Sequence, residues 1–362
     1  MEEKKIKVAI THGDVNGVGY EVILKTFSDP TMLELCTPIV YGSPKVMAYH
    51  RKALDLPTMF SIVGSAAEAS DGHLNVVNCC DDEVKVELGK PSEHAGKSAL
   101  QALECAMNDF GKGVYDVLVT APIDKKTIQS DTFHFNGHTE YIEERVGGGK
   151  KALMILAKDD LRVALATGHH SIAEVAPMLT KDMLIEKITL FRDSLCSDFC
   201  ISAPRIAVLA LNPHAGDDGL LGHEEQDIIA PAIVEARAAN ILCYGPFSAD
   251  GFFGAGSYGH FDGVLAMYHD QGLVPFKLLA MDEGVNCTAG LPLVRTSPDH
   301  GTAFDIAGKN IASEQSFRSA VYMAIDIYRH RQGEKACHRN PLRKQFFDRR
   351  DDSDRLKLDA TE

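Results

Sequence analysis

The stretch RIAVLALNPHAG (205–216) holds an apolar run that ends at a turn proline and a histidine. A run of Ile, Val, Leu and Ala without polar alternation fits a strand covered on both faces. The same pattern recurs in RVALATGHH (162–170) and GVLAMYHDQG (263–272). Outward from these, strands are predicted at KIKVAIT (5–11), PIVYG (38–42), YDVLVTAP (115–122) and ALMILA (152–157). Helices are predicted over 92–109, 172–199, 223–240 and 313–331. Strand–helix alternation indicates the α/β class with a mainly parallel sheet. In such a sheet the carboxyl ends of the strands share one edge, and ligands bind there.

The chain has 362 residues, room for about two domains. Its net charge of −14 argues against nucleic-acid or anionic-membrane partners, which need clustered Lys and Arg. The start, MEEKKIKVAI, has no apolar signal region, and no apolar stretch reaches the length of a membrane span. Nine cysteines with irregular spacing and no C-x-x-C pair point to reduced thiols in a cytoplasmic protein. After Gly333 the charges mix and apolar residues thin out, as in an exposed terminal helix or a partly ordered tail.

Three predicted strands run into a histidine: His169 or its neighbour His170, then His214, then His269. Three imidazoles at one sheet edge with an open position would suit a divalent metal acting as a Lewis acid. Anion-binding groups accompany them. Thr139 could cap a helix over 140–146, placing His138 and Thr139 at a positive helix end. Lys277 and Arg295 each close an apolar stretch and could pair with phosphate or carboxylate. The glycine loop THGDVNGVG (11–19) has neither the dinucleotide nor the phosphate-loop spacing.

Together, TAPIDK (120–125), GHTEYIEER (137–145), VALATGHH (163–170), LALNPHAG (209–216), LAMYHDQG (265–272) and GVNCTAGLPLVRTSPDHGTAFDIAG (284–308) resemble the 4-hydroxythreonine-4-phosphate dehydrogenase family of the vitamin B6 pathway. The resemblance implies two α/β/α subdomains of the isocitrate/isopropylmalate dehydrogenase-like type, with the active site in the cleft between them. One would comprise residues 1–135 and 292–362, the other 136–291. It implies a divalent metal (zinc, magnesium or cobalt) on His169, His214 and His269, gathered across a homodimer interface. His138, Thr139, Lys277, Asn286 and Arg295 would bind the phosphorylated amino acid. Lys277 and Asp250 would serve catalysis. The loop carrying His300, Gly301, Thr302, Ala303 and Asp305 would bind NAD or NADP. The family's usual opening resembles TPGDPAGIG, so His12, Val15 and Asn16 are departures here.

The implied reaction is oxidation of 4-phosphooxy-L-threonine followed by decarboxylation. Metal-bound water, Lys277 and a nearby histidine all remain open as the base. Rival readings are a paralogue acting on erythronate or threonate 4-phosphate, a zinc hydrolase working without nicotinamide, and a non-catalytic metal-binding protein.

Overall fold

The structure, a computed structural model, describes residues 5–81, 84–130 and 133–339. The first part of the chain forms β1 (Ile6–Thr11), α1 (Gly19–Thr26), α2 (Pro30–Leu35), β2 (Cys36–Gly42), α3 (Pro44–Ala53), β3 (Ser61–Val63), β4 (Asn75–Asn78), α4 (Glu93–Gly111) and β5 (Val117–Thr120). The middle forms α5 (His138–Val146), β6 (Leu153–Lys158), β7 (Leu161–Leu165), α6 (Ile172–Met178), α7 (Lys181–Ser197), β8 (Ile206–Leu209), α8 (Ala230–Ala238), β9 (Cys243–Phe247), α9 (Ala249–Gly254) and β10 (Gly263–Ala266). The last part forms α10 (His269–Ala280), β11 (Val285–Ala289), β12 (Val294–Pro298) and α11 (Gln315–Arg339). Residues of the predicted tail beyond 339 lie outside the described ones.

The strands form one sheet in the order β3-β4-β2-β1-β5-β12-β11-β6-β7-β10-β8-β9. Strands β3, β4, β2, β1, β5 and β12 are mutually parallel. Strands β7, β10, β8 and β9 are also mutually parallel. Between these blocks lie three antiparallel steps, β12–β11, β11–β6 and β6–β7. An odd number of reversals sets the two blocks in opposite directions. The expectation of one shared carboxyl edge is corrected accordingly: each block has its own, and a seam joins them.

The seam strands were not predicted because VNCTA and VRTSP are half polar. Their alternation places Val285, Cys287 and Ala289 against α11, which buries Phe317, Ala320, Val321 and Ala324. Asn286, Thr288, Arg295 and Ser297 fall on the other face. Register pairs Asn286 with Ser297 and Leu156, and Thr288 with Arg295 and Met154, so these six share that face.

The strands predicted from two-sided apolar runs are all present. The helix predicted over 172–199 is two helices, since α6 ends at Leu179 and Thr180 caps α7 by accepting a hydrogen bond from Met183 N. Ser92 starts α4 by accepting from Ala95 N at 3.2 Å. Gly96, one turn into α4, lies so close to the 120–128 loop that a Cβ would sit 2.0 Å from the Thr127 carbonyl oxygen. Gly96→Ala is expected to lower the unfolding free energy by roughly 1–3 kcal/mol, read by denaturant titration, because both partners are backbone-fixed.

Candidate active site

A cavity of about 250 Å³ opens on the polar face of the seam. Its floor includes Met154, Leu156, Asn286, Arg295 and Ser297. One wall is the loop after β5 (Thr120 to Lys125) with the start of α5; the other carries His169, His269 and Lys277, and His300 and Gly301 lie at the rim.

Arg295 is 4% exposed. It donates to Thr120 Oγ1 from Nε at 3.1 Å and from Nη2 at 2.7 Å, and to Thr288 Oγ1 from Nη1 at 3.4 Å. Among the described residues it forms no ion pair. Burial pulls its pKa down to about 10, with Glu140 and Cys287 opposing. A buried guanidinium held by neutral hydroxyls is incompletely compensated, and an anion would complete it. His138 lies beside it. Burial first, then the charges of Arg295 and Lys125, hold the His138 pKa well below its usual value, so the ring is neutral.

The start of α5 differs from expectation. Gly137, not Thr139, occupies the N-cap, and the helix begins at His138. Thr139 is therefore not needed as a cap; it lines the cavity along with the first turn of the helix. Asn286 Oδ1 is buried without a hydrogen-bond partner. Lys277, on α10, donates to the Asp299 carbonyl oxygen at 3.2 Å and lies 3.6 Å from Asp299 Oδ1.

His169 and His269 face each other with ring centroids 5.4 Å apart. His269 Nδ1 is 2.7 Å from Asp270 Oδ1, so it carries the proton and leaves the Nε2 lone pair available. His169 Nε2 accepts from Lys125 Nζ at 2.9 Å, which puts its proton on Nδ1, 3.7 Å from Glu140 Oε1. Burial works to raise the Glu140 carboxyl, but the hydrogen bonds from His169 and its own backbone outweigh it and hold the pKa down. Burial lowers Lys125, with Glu140 opposing. Of the two adjacent histidines, His169 lines the cavity and His170 does not.

His214 does not line this cavity, nor does Asp250. The two are neighbours, since His214 acts electrostatically on the Asp250 carboxyl, which is held low first by its hydrogen bond with Ser248. Among the described residues no group of three or more His, Cys, Asp or Glu is arranged to hold a metal ion. The expected three-histidine cluster is thus not assembled within one chain. Strands β7, β10 and β8 are adjacent as anticipated, but at Pro213 the chain turns into a left-handed run. His214, Ala215, Gly216, Asp217 and Asp218 have φ of 53, 54, 80, 44 and 55°. That conformation costs roughly 1–2 kcal/mol for each non-glycine residue.

In the predicted cofactor loop, His300 Nδ1 is 2.9 Å from the Gly301 carbonyl and its Nε2 is buried without a partner. The Thr302 carbonyl accepts from Val18 N at 3.0 Å, tying this loop to the N-terminal glycine loop. A second cavity shares His300 and Asp299 with the first and is lined by Val18, Ala303, Ile306 and Ala312. Asp305 is exposed. Thr120 and Lys125 enter the sequence reading only as the ends of the TAPIDK motif, and Glu140 and Ser297 are site residues it did not single out; the Glu after GHT was the available signal for the first of these.

The family model described as "Pyridoxal phosphate biosynthetic protein PdxA" matches residues 34–324. The chain belongs to this family. A 4-hydroxythreonine-4-phosphate dehydrogenase of Bacteroides thetaiotaomicron is 66% identical over 362 residues, covering 100% of both chains. One from Prosthecochloris aestuarii is 41% identical over 326 residues, 88% of this chain and 96% of the relative. A crystal structure of 4-hydroxythreonine-4-phosphate dehydrogenase from Klebsiella pneumoniae matches with a TM-score of 0.78 at 32% identity, covering 91% of this chain and 99% of that one. Membership of the PdxA family makes the chain an oxidoreductase of vitamin B6 biosynthesis. No helix among the described residues is long and apolar enough to cross a membrane.

Inorganic phosphate is expected to raise the thermal midpoint of the wild-type protein, and this rise should vanish in Arg295→Met. In phosphate-free buffer the variant should match the wild type or exceed it by up to about 3 kcal/mol, because an under-compensated buried charge is gone. Differential scanning calorimetry reads both.

Proposed function

We propose that this protein oxidises 4-phosphooxy-L-threonine with NAD or NADP to 2-amino-3-oxo-4-phosphooxybutanoate, which loses carbon dioxide to give 3-amino-2-oxopropyl phosphate. The observation that carries this reading is the buried, under-compensated Arg295 on the same cavity floor that faces the His169–His269 pair. An anion anchor and a pair of oriented imidazoles on one small cavity suit a substrate with a phosphate or carboxylate at one end and an alcohol at the other.

The donor set fits a divalent metal. His269 and His169 each have a carboxylate at Nδ1, Asp270 and Glu140 respectively, the arrangement that orients imidazoles as ligands. His169, His269 and His214 would hold it. A nicotinamide cofactor would sit at the second cavity, where Val18, Ala303, Ile306 and Ala312 supply apolar contact and Asp299, Ser313, Ser316 and the unpaired His300 Nε2 supply polar groups. When bound, the nicotinamide takes up the hydride and the metal ion stabilises negative charge on the substrate oxygen.

The chain's own groups do the rest. Arg295 and Lys277 neutralise the phosphate and carboxylate, and neutral His138 offers a hydrogen bond without adding charge. The first turn of α5 presents backbone N–H groups to the same cavity. Asn286 Oδ1 is free to accept from the substrate amine or hydroxyl. Oxidation takes a hydride from C3 and a proton from its hydroxyl; decarboxylation then releases the carboxyl carbon, and C2 takes up a proton. Fixing both ends of the substrate orients C3, which is the protein's main contribution.

We further propose that a second copy of the chain supplies His214 and Asp250 to each site. Apolar side chains on the segments that carry His269 and His214 are exposed: Val274, Leu278 and Leu279 on α10, which begins at His269, and Leu220 and Leu221 after the left-handed turn. Such patches mark association surfaces. The two blocks of the sheet, divided at the seam, correspond in this reading to the two subdomains.

NAD reduction with 4-phosphooxy-L-threonine is expected, with loss of activity on chelation; faster turnover of erythronate or threonate 4-phosphate in the same assay would favour the paralogue. Mixing inactive His214→Ala and His269→Ala proteins and allowing subunits to exchange should restore about a quarter of wild-type activity. Half the dimers are then mixed, and one of their two sites is intact. No recovery would mean that His214 acts within its own chain.

A further inference from the structure

Buried Glu225 has no part in the cavity, yet its carboxylate is fully engaged with the turn that carries His214. Oε1 accepts from Leu211 N and Asn212 N, both at 2.8 Å. Oε2 accepts from Asn212 Nδ2 at 3.0 Å. Asn212 Nδ2 also donates to Glu224 Oε2 at 2.7 Å. The same Oε2 fills the space beside Gly216, where a Cβ would stand 2.7 Å away. Glu225 is itself fixed in a π-helical turn, Glu225–Ile229, a local widening often found where a helix serves a site.

The left-handed run begins two residues after Asn212, so Glu225 grips the chain where its direction is set. A second side chain makes a matching link. Gln271 accepts from Met267 N at 2.7 Å and donates to the Ala210 carbonyl at 2.6 Å, joining the ends of β10 and β8. Thr167 Oγ1 donates to the Met267 carbonyl at 2.7 Å, joining the ends of β10 and β7. The three strand ends that lead to His169, His269 and His214 are therefore tied in register by side chains.

We infer that Glu225 is a positioning residue: it holds the 212–218 turn in its strained shape so that His214 is presented as a ready-made ligand to the metal. This inference rests on the proposed metal role of His169, His214 and His269. Without Glu225, Leu211 N and Asn212 N lose their acceptor, and the turn relaxes toward right-handed conformations that redirect His214.

Cobalt(II) titration of the full-length protein tests this, followed by calorimetry and by visible absorption and run well below every variant's thermal midpoint. Wild type should bind cobalt, and His214→Ala should bind it much more weakly. Glu225→Leu, which removes the acceptor of Leu211 N, Asn212 N and Asn212 Nδ2 while keeping an apolar side chain of similar size, should weaken binding on the order of tenfold or more and alter the absorption band. Gly216→Ala, which pushes on the same carboxylate from the other side, should do likewise, so the conclusion does not hang on one variant folding. Asp198→Asn is the control. Asp198 accepts from Arg331 at 2.6 and 3.1 Å elsewhere in the fold, and its loss should lower the midpoint and leave cobalt affinity unchanged. Wild-type affinity and spectrum in Glu225→Leu and Gly216→Ala, with His214→Ala impaired, would overturn the positioning role alone. Equal cobalt affinity in wild type and His214→Ala would overturn the metal reading and this inference with it.

Discussion

Three antiparallel pairings at the centre of a twelve-stranded sheet govern the molecule. An all-parallel sheet would send every loop of functional interest to one edge. Reversing direction at the seam instead leaves a strip of sheet whose polar face opens on a cavity. The polar residues of β11 and β12 occupy that face, and the loops of the two blocks rise on either side of it. The cavity, its cation and its histidine pair all follow from this arrangement. Helix α11 seals the opposite face with Phe317, Ala320 and Val321.

The cost of this arrangement is concentrated in Arg295. A guanidinium on a sheet interior, held by Thr120 and Thr288, is short of negative charge, and its lowered pKa is the signature of that shortage. The protein does not pair it with a carboxylate, which would satisfy it permanently and close it to a ligand. Glu140 is near enough to be felt electrostatically but is directed to His169. Local positive character thus coexists with a chain charge of −14.

Strands β1, β2, β5, β7, β8 and β10 of the two parallel blocks, and β6 in the seam, are legible in the sequence as apolar runs such as RVALAT and RIAVLAL, while the short β3, β4 and β9 are not. The seam strands β11 and β12 are not legible because a strand with one face in a polar cavity has the composition of a loop. Lys277 and Arg295 stand out in the sequence as cations closing apolar stretches and Asn286 only through family likeness, while the strands carrying Asn286 and Arg295 do not. The turn after Pro213 was illegible for a different reason. Only one of its five left-handed residues is a glycine, so local preference points the other way, and the conformation is imposed by Glu225, Asn212 and the strand end. Thr139 reads as a cap because a threonine before an amphipathic run is the usual sign; Gly137, extended at φ 172°, starts the helix two residues earlier without a side-chain cap.

The seam also decides how the cleft can change width. Two bodies joined by a linker swing freely, and their separation is set by contacts alone. Here the floor of the cleft is a continuous ladder of backbone hydrogen bonds from β5 through β12, β11, β6 and β7. Any narrowing around a ligand has to be taken up as extra twist spread over these strands, and the ladder resists it in proportion. The stiffness of the cleft floor thus resides in backbone pairing across the seam and not in a linker.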